Sequence, residues 1–308
     1  MNVAYLKYAV EIANTKSISK AAENLYMGQP NLSRAIKSLE ESLGIEIFKR
    51  SSKGIRITEE GEEFLKSARK IMKQIDELEQ KYNGDATPVQ KLSVCVPRAS
   101  YMSDAISEFA KKINKEEPAD IYYRESNSMR VINEVVIENS NLGIIRYRDV
   151  YEPEFRRLFH DKKLEHKILS EFSYNLVMSK DDPLATKENI KEEDLSGYIE
   201  ITHADPYVPN MPLIDLKNAM RLNSVDKHIY VYERASQYDL LQNVKNTFMW
   251  MSPVSQEYLD KYNIIQKKCD FGNSIYRDVL IYRNGHKLTR FENMFLDEIN
   301  RFICKGQK

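Results

Sequence analysis

The chain has 308 residues, 42% hydrophobic and 30% charged, ordinary for a globular protein of two or three domains. Its net charge is zero, yet residues 1–58 carry nine Lys and Arg against five Glu, near +4, a bias that suits a nucleic-acid partner. No apolar run reaches the roughly 18–20 residues that span a bilayer, and the N-terminus lacks the pattern of a signal peptide, so a cytoplasmic protein with no membrane partner is expected.

Leu6, Ala9, Val10 and Ala13 share one face of a helix over 3–14. Ser17 caps a short helix carrying Ala21, Ala22 and Leu25, and Gly28 marks the turn before a third helix over 29–41. Pro30 stands in the first turn of that helix, where a missing N–H costs little, and Gly44 closes it. Leu32, Ala35, Ile36 and Leu39 form its inward stripe. Residues 48–50 and 55–57 flank Ser52-Lys53-Gly54 as a short hairpin or wing.

Thr58 opens a long helix with Glu59, Glu60, Glu62 and Glu63 at its positive end. Along it Phe64, Ala68, Ile71, Ile75, Leu78 and Tyr82 keep the alternating four-three spacing of a heptad seam. Residues 83–88 then break the helix and mark a domain boundary. Beyond it, strands expected at 91–96, 119–124, 142–146, 168–178, 198–202, 228–232, 247–252 and 277–282 alternate with helices. The helices are expected at 101–113, 128–138, 213–221, 235–244, 255–261 and 288–303. Such alternation implies an α/β architecture with largely parallel sheets.

Three helices followed by a wing suit a helix-turn-helix, whose second motif helix lies in the major groove. Here that helix turns Gln29, Asn31, Ser33, Arg34, Lys37 and Ser38 outward. Gln and Asn pair bidentately with adenine and Arg with guanine. Lys37, Ser38, Lys49, Arg50, Lys53 and Arg56 are placed to touch phosphates. A small helical domain with solvated polar faces is the plainer alternative.

The stretch from Ser17-Ile18-Ser19-Lys20-Ala21-Ala22 through Gln29-Pro30-Asn31-Leu32-Ser33-Arg34 resembles the signature of LysR-type transcriptional regulators. So do Leu43-Gly44-Ile45-Glu46-Ile47-Phe48 and Thr58-Glu59-Glu60-Gly61. Gly28 departs from it, standing where the family usually has a capping serine. The resemblance implies a winged helix-turn-helix over 1–58 with Gln29, Pro30, Ser33 and Arg34 nearest the bases of double-stranded DNA. It also implies a dimerisation linker helix over 59–84 and a homodimer or homotetramer that reads a partly palindromic site. RNA polymerase is a further implied partner.

For 91–308 the resemblance implies a two-lobed effector domain like a type 2 periplasmic binding protein. Lobe one would comprise 91–165 plus 266–308, and lobe two 166–265. Effector residues are expected on loops beyond the strands: Arg98, Ser100 and Tyr101; Ser126 and Ser128; Arg146 in the hinge-side run Arg146-Tyr147-Arg148; Thr202 and His203, with Thr247 opposite. Hydroxyls and helix N-termini suit a small organic anion, with Arg98 or Arg146 as counter-charge; the plainer alternative is that these arginines pair with Glu125, Asp149 or Asp205 as surface salt bridges. Bulky residues at 244–250, where relatives have glycines, narrow or fill that cleft.

Cys95, Cys269 and Cys304 make no disulfide framework, and a thiol-redox or ligand-independent regulator is the alternative within the same fold. His160, His166, His203, His228 and His286 lack metal-ligand spacing. No cofactor fingerprint or catalytic constellation appears, so no cofactor is expected and no enzymatic activity. A binding-protein-fold enzyme or solute receptor with an accessory helical domain is the alternative of another class.

Overall fold

The computed structural model of the chain describes residues 2–51, 54–82, 89–272 and 274–306, in two compact units, 1–88 and 89–308. The first unit opens with α1 (Val3–Thr15), α2 (Ile18–Asn24) and α3 (Gln29–Leu43). Asn2 and Ser17 accept the Ala4 and Lys20 amides, pairing donors that a helix start leaves open. Gly28 begins α3 without a side-chain cap, and Gly44 ends it at φ 69°, where a Cβ is penalised. Ala9, Ile12, Ala21, Leu32, Ile36 and Leu39 from the three helices meet in one core with Ile47 and Leu65.

The wing is β1 (Phe48–Ser51) paired antiparallel with β2 (Gly54–Ile57), Phe48 opposite Ile57. Its tip, Ser52 and Lys53, lies outside the described residues, as does the expected boundary at 83–88. The Glu40 carboxylate fastens the wing to α3 by accepting the Ile47 and Phe48 amides at 2.7 and 3.0 Å. Thr58 accepts the Gly61 amide at 2.9 Å in the first turn of α4 (Glu59–Tyr82). Gly61 is demanded by close approach, because a Cβ there would overlap the Ile47 carbonyl oxygen.

The second unit begins with β3 (Gln90–Val96), α5 (Ser100–Lys111), β4 (Ala119–Glu125), α6 (Ser128–Val136), β5 (Leu142–Arg148), α7 (Glu152–Asp161) and β6 (Leu164–Ser173). It continues with β7 (Asn175–Ser179), β8 (Ile199–His203), α8 (Leu213–Met220), β9 (Lys227–Val231), α9 (Arg234–Asn243) and β10 (Thr247–Met251). It closes with α10 (Gln256–Lys261), β11 (Ile264–Lys267), β12 (Ile275–Arg283) and α11 (Arg290–Gly306). One sheet has the order β4-β3-β5-β12-β6 and the other β11-β7-β10-β8-β9.

These sheets are mixed rather than largely parallel. β3 runs parallel to β4 and β5, and β8 to β9 and β10. β12 opposes β5 and β6, while β7 opposes β10 and β11. The cause is that the chain crosses between the lobes twice, so the crossing strands run back against the parallel units. β6 passes through Tyr174 straight into β7, so the expected strand at 168–178 is two strands. Lobe one therefore takes in residues up to 173, and β11 joins lobe two.

α7 and β11 have no counterpart in the sequence reading. In α7 the apolar Phe155, Leu158 and Phe159 sit among charged residues behind Pro153, and β11 offers only Ile264-Ile265. Each sheet buries both faces. α5 and α11 cover one side of the first sheet, where Phe109 meets Phe295 edge-on. Val131, Phe155 and Phe159 cover the other. Each such side chain contributes roughly 1.5–3 kcal/mol of hydrophobic burial. Among the described residues no helix is long and apolar enough to cross a membrane.

Candidate functional site

In the first unit α3 separates two faces with a 3.6-residue period. Leu32, Ile36 and Leu39 are buried, whereas Gln29, Pro30, Asn31, Arg34, Lys37 and Ser38 are exposed and Ser33 is half-buried. Arg34 donates from Nη2 to the Asn31 Oδ1 at 2.7 Å, so these two side chains present as one unit. Lys37 stands 3.8 Å from Glu41, an exposed pair that holds the ammonium only loosely. Arg56 on β2 is exposed, and Lys49 lies 3.7 Å from Glu46. Lys53 and the side chain of Arg50 lie outside the described residues.

The heptad seam divides along α4. Phe64 packs partly on the core of its own unit, and Ala68, one turn further along α4, is fully buried. Ala68 is therefore corrected from a dimer contact to a residue its own chain already covers. Ile71 and Ile75 are half-buried and Leu78 is 58% exposed. The Tyr82 side chain lies outside the described residues.

A cavity of about 320 Å³ opens between the two sheets of the second unit. Of the expected effector residues, Arg98, Ser126, Ser128, Arg146, Thr202 and His203 line it, each at or beyond the carboxyl end of a strand. Ser100, Tyr101 and Thr247 do not. Ser100 is buried at the start of α5, and the Tyr101 hydroxyl turns inward to donate to the Asp278 carboxylate. Thr247 is buried and donates to the Val244 carbonyl at 2.8 Å. It begins β10, whose parallel partner β8 meets the cavity at its opposite end, so the wrong edge of the sheet was assigned to it.

The expected counter-charges are both engaged internally. Arg98 makes a two-pronged pair with Asp205 at 2.8 and 3.1 Å, and the Asn127 amide adds a 3.0 Å bond to the same carboxylate. Arg146 is held by Asp278 through two bonds of 2.7 Å and lies 4.7 Å over the Phe172 ring. Burial demands such partners, because an unpaired buried guanidinium is costly. Arg98 thus has one of the partners of the plainer alternative, Asp205, and Arg146 has Asp278, so neither charge is left uncompensated.

Arg148, from the expected hinge-side run 146–148, lines the cavity too, and Tyr174, Glu200 and Tyr276, which the sequence did not single out, join it. Arg148 follows Arg146 by two along β5. Its Nε is buried without a hydrogen-bond partner among the described residues, and its guanidinium lies 5.8 Å from the Tyr151 ring. Tyr174 and Tyr276 stack at 3.9 Å on the wall. Glu200 on β8 is buried there, and burial pushes its carboxyl up to about 7. Burial, then Arg98, brings His203 down to about 4, so its ring is neutral at physiological pH.

The bulky 244–250 stretch narrows the cavity without filling it. Phe248 turns into the core, while Trp250 meets Phe248 and Phe271 edge-on and forms wall. Burial pushes the Cys95 thiol up to about 12, with Glu134 adding to it, and the Cys269 thiol up to about 11, with Asp270 adding. Neither is a ready thiolate, which weighs against redox sensing by this pair. Among the described residues no His, Cys, Asp and Glu cluster could hold a metal ion.

Residues 3–62 match the family described as bacterial regulatory helix-turn-helix protein, lysR family. The chain is 30% identical over 215 residues to the HTH-type transcriptional regulator AlsR of Bacillus subtilis, covering 68% of this chain and 67% of AlsR. It is 37% identical over 98 residues to the uncharacterised regulator YcgK of the same organism, covering 32% of this chain and only 30% of YcgK. Among solved structures, full-length CbnR in complex with its target DNA superposes with a TM-score of 0.60 at 16% identity, over 98% of this chain and 100% of that one.

Proposed function

The chain belongs to the LysR family of bacterial helix-turn-helix regulators and is a DNA-binding transcriptional regulator; we propose that it reads a partly palindromic promoter site as a homodimer or homotetramer under control of a small-molecule effector bearing an acid group. The observation that carries the DNA reading is α3, with an apolar stripe buried beneath an exposed Gln29, Asn31, Arg34 and Lys37. In the major groove Gln29 or Asn31 would face adenine and Arg34 guanine, with Pro30 and Ser33 beside the bases. Lys37, Ser38, Lys49 and Arg56 would meet phosphates, as would Arg50 and Lys53 of the wing.

Pairing through Ile71, Ile75, Leu78 and Tyr82 of α4 would set two recognition helices about one helical turn, roughly 34 Å, apart or a multiple of it. The cavity supports the effector reading, since strand ends from both lobes line it. A ligand that binds one lobe arrangement better would shift the geometry of the paired recognition helices and so the contact with RNA polymerase.

Fluorescence anisotropy of the full-length chain on its own upstream DNA, against a shuffled duplex of equal length, tests the reading. A preference of about 10³-fold or more, with affinity falling steeply from 50 to 200 mM salt, is expected. Equal affinity for both duplexes would overturn it.

A further inference from the structure

Two cations expected at the cavity are cancelled by internal carboxylates, which changes what the cavity asks of a ligand. Arg98 is held by Asp205 and Arg146 by Asp278. Two groups of opposite sign that line the same cavity are left less satisfied. Arg148, from β5 of lobe one, keeps a buried Nε with no hydrogen-bond partner among the described residues. Glu200, from β8 of lobe two, has a side chain 9% exposed, and the group facing it is the His228 imidazole at 3.5 Å, beyond a sound hydrogen bond.

Burial opposes the ionised form of Glu200, and Arg221 is the neighbouring cation that favours it. His228 is its register partner on β9 and is kept neutral by burial. Its partner on β10 is the apolar Phe248. Lys217 and Arg221, on and after α8, His203 on β8 and Tyr230 on β9 share a small adjoining recess with it, yet none bonds it among the described residues. Arg221 is exposed, so it competes poorly with the more buried Arg148 for an acid group. Aromatic rings, Tyr151, Tyr174, Tyr276 and Trp250, line the same cavity.

We infer that the cavity takes an amino acid with an apolar or aromatic side chain, its carboxylate at Arg148 and its ammonium at Glu200, rather than a simple organic anion. This rests on the effector reading above and deepens it. The two contacts come from different lobes, so such a ligand ties the lobes together only when both ends of it are present. Each end is a charge-assisted bond in a partly dry site, where loss of one partner is costly.

The test is calorimetric titration of the full-length chain with the proteinogenic amino acids, the same side chains as acids lacking the amine, and the corresponding amines lacking the acid. An apolar or aromatic amino acid is expected to bind at least tenfold more tightly than either truncated relative. Its affinity is expected to rise about tenfold from pH 6 to pH 8, as Glu200 ionises around 7. Glu200→Gln should erase the preference over the amine-free acid, and Arg148→Met should weaken both, while each variant still binds DNA with the parent's salt dependence. If an amine-free acid binds as tightly as its amino acid, or affinity falls as pH rises, the zwitterion inference is overturned and the acid-effector reading stands. If nothing in the three sets binds, both are overturned.

Discussion

Arg146 on β5 and Asp278 on β12 are cross-strand partners joined by two bonds of 2.7 Å, and the aspartate is completely buried. Tyr101 donates to the same carboxylate from α5, so one buried acid ties a strand pair to a helix. Asp278→Ala strands a buried guanidinium and should cost about 3–5 kcal/mol in urea unfolding. The double variant Arg146→Met, Asp278→Leu should recover much of that loss, because no lone charge remains. A single variant that loses under about 1 kcal/mol would contradict this account.

On α3 the outward residues should divide by role. Arg34→Ala should cost about 1–3 kcal/mol on the specific site and relax the preference at one base position. Lys37→Ala should weaken specific and shuffled duplexes alike and lower the salt slope by about one. Binding curves on both duplexes at several salt concentrations separate the two outcomes.

Gly61 allows α4 to begin against the wing. Its substitution by Ala places a methyl onto the Ile47 carbonyl oxygen, a backbone atom that cannot rotate away. A loss of about 1–3 kcal/mol is expected for the first unit, read as a lowered unfolding midpoint. An unchanged midpoint would show that the wing shifts freely.

The uncovered part of the α4 seam predicts where subunits join. Leu78 is exposed in the single chain, and Leu78→Asp should weaken self-association at least tenfold in sedimentation velocity. Ala68→Ser, at a site the chain itself buries, should leave the association constant near the parent's.

Glu200 makes stability depend on pH. Its folded carboxyl titrates near 7 against an ordinary 4.5, because burial disfavours the charged form. The folded state therefore holds a proton that the unfolded state has released between those values, and stability falls as pH rises through that window. Glu200→Gln removes the loss, so the variant should gain on the parent by about 2 kcal/mol between pH 5 and pH 8. Urea unfolding at both pH values reads it, and a difference that does not vary with pH would exclude the assignment.

Legibility from sequence followed the range of the interactions. The helix-turn-helix was readable because its stripes, caps and Gly44 are local signals, each within a turn of the residues it governs. The seam of α4 was readable as a pattern, but not where it divides. Whether Ala68 faces a neighbour or its own chain depends on which side of α4 the folded chain covers, and it covers Ala68. The loops around the cavity were found from strand ends, whereas the partner of Arg146 is Asp278, 132 residues away, and no spacing rule connects them.

Local periodicity and turn chemistry thus determined the first unit's elements and the alternating α/β order of the second, because those preferences act over a few residues. The charge the cavity offers was decided by strand register. Antiparallel pairing of β5 with β12 sets Asp278 against Arg146 and Tyr276 against Arg148. One arginine is thereby satisfied and the next left open, a distinction that exists only once distant strands lie side by side.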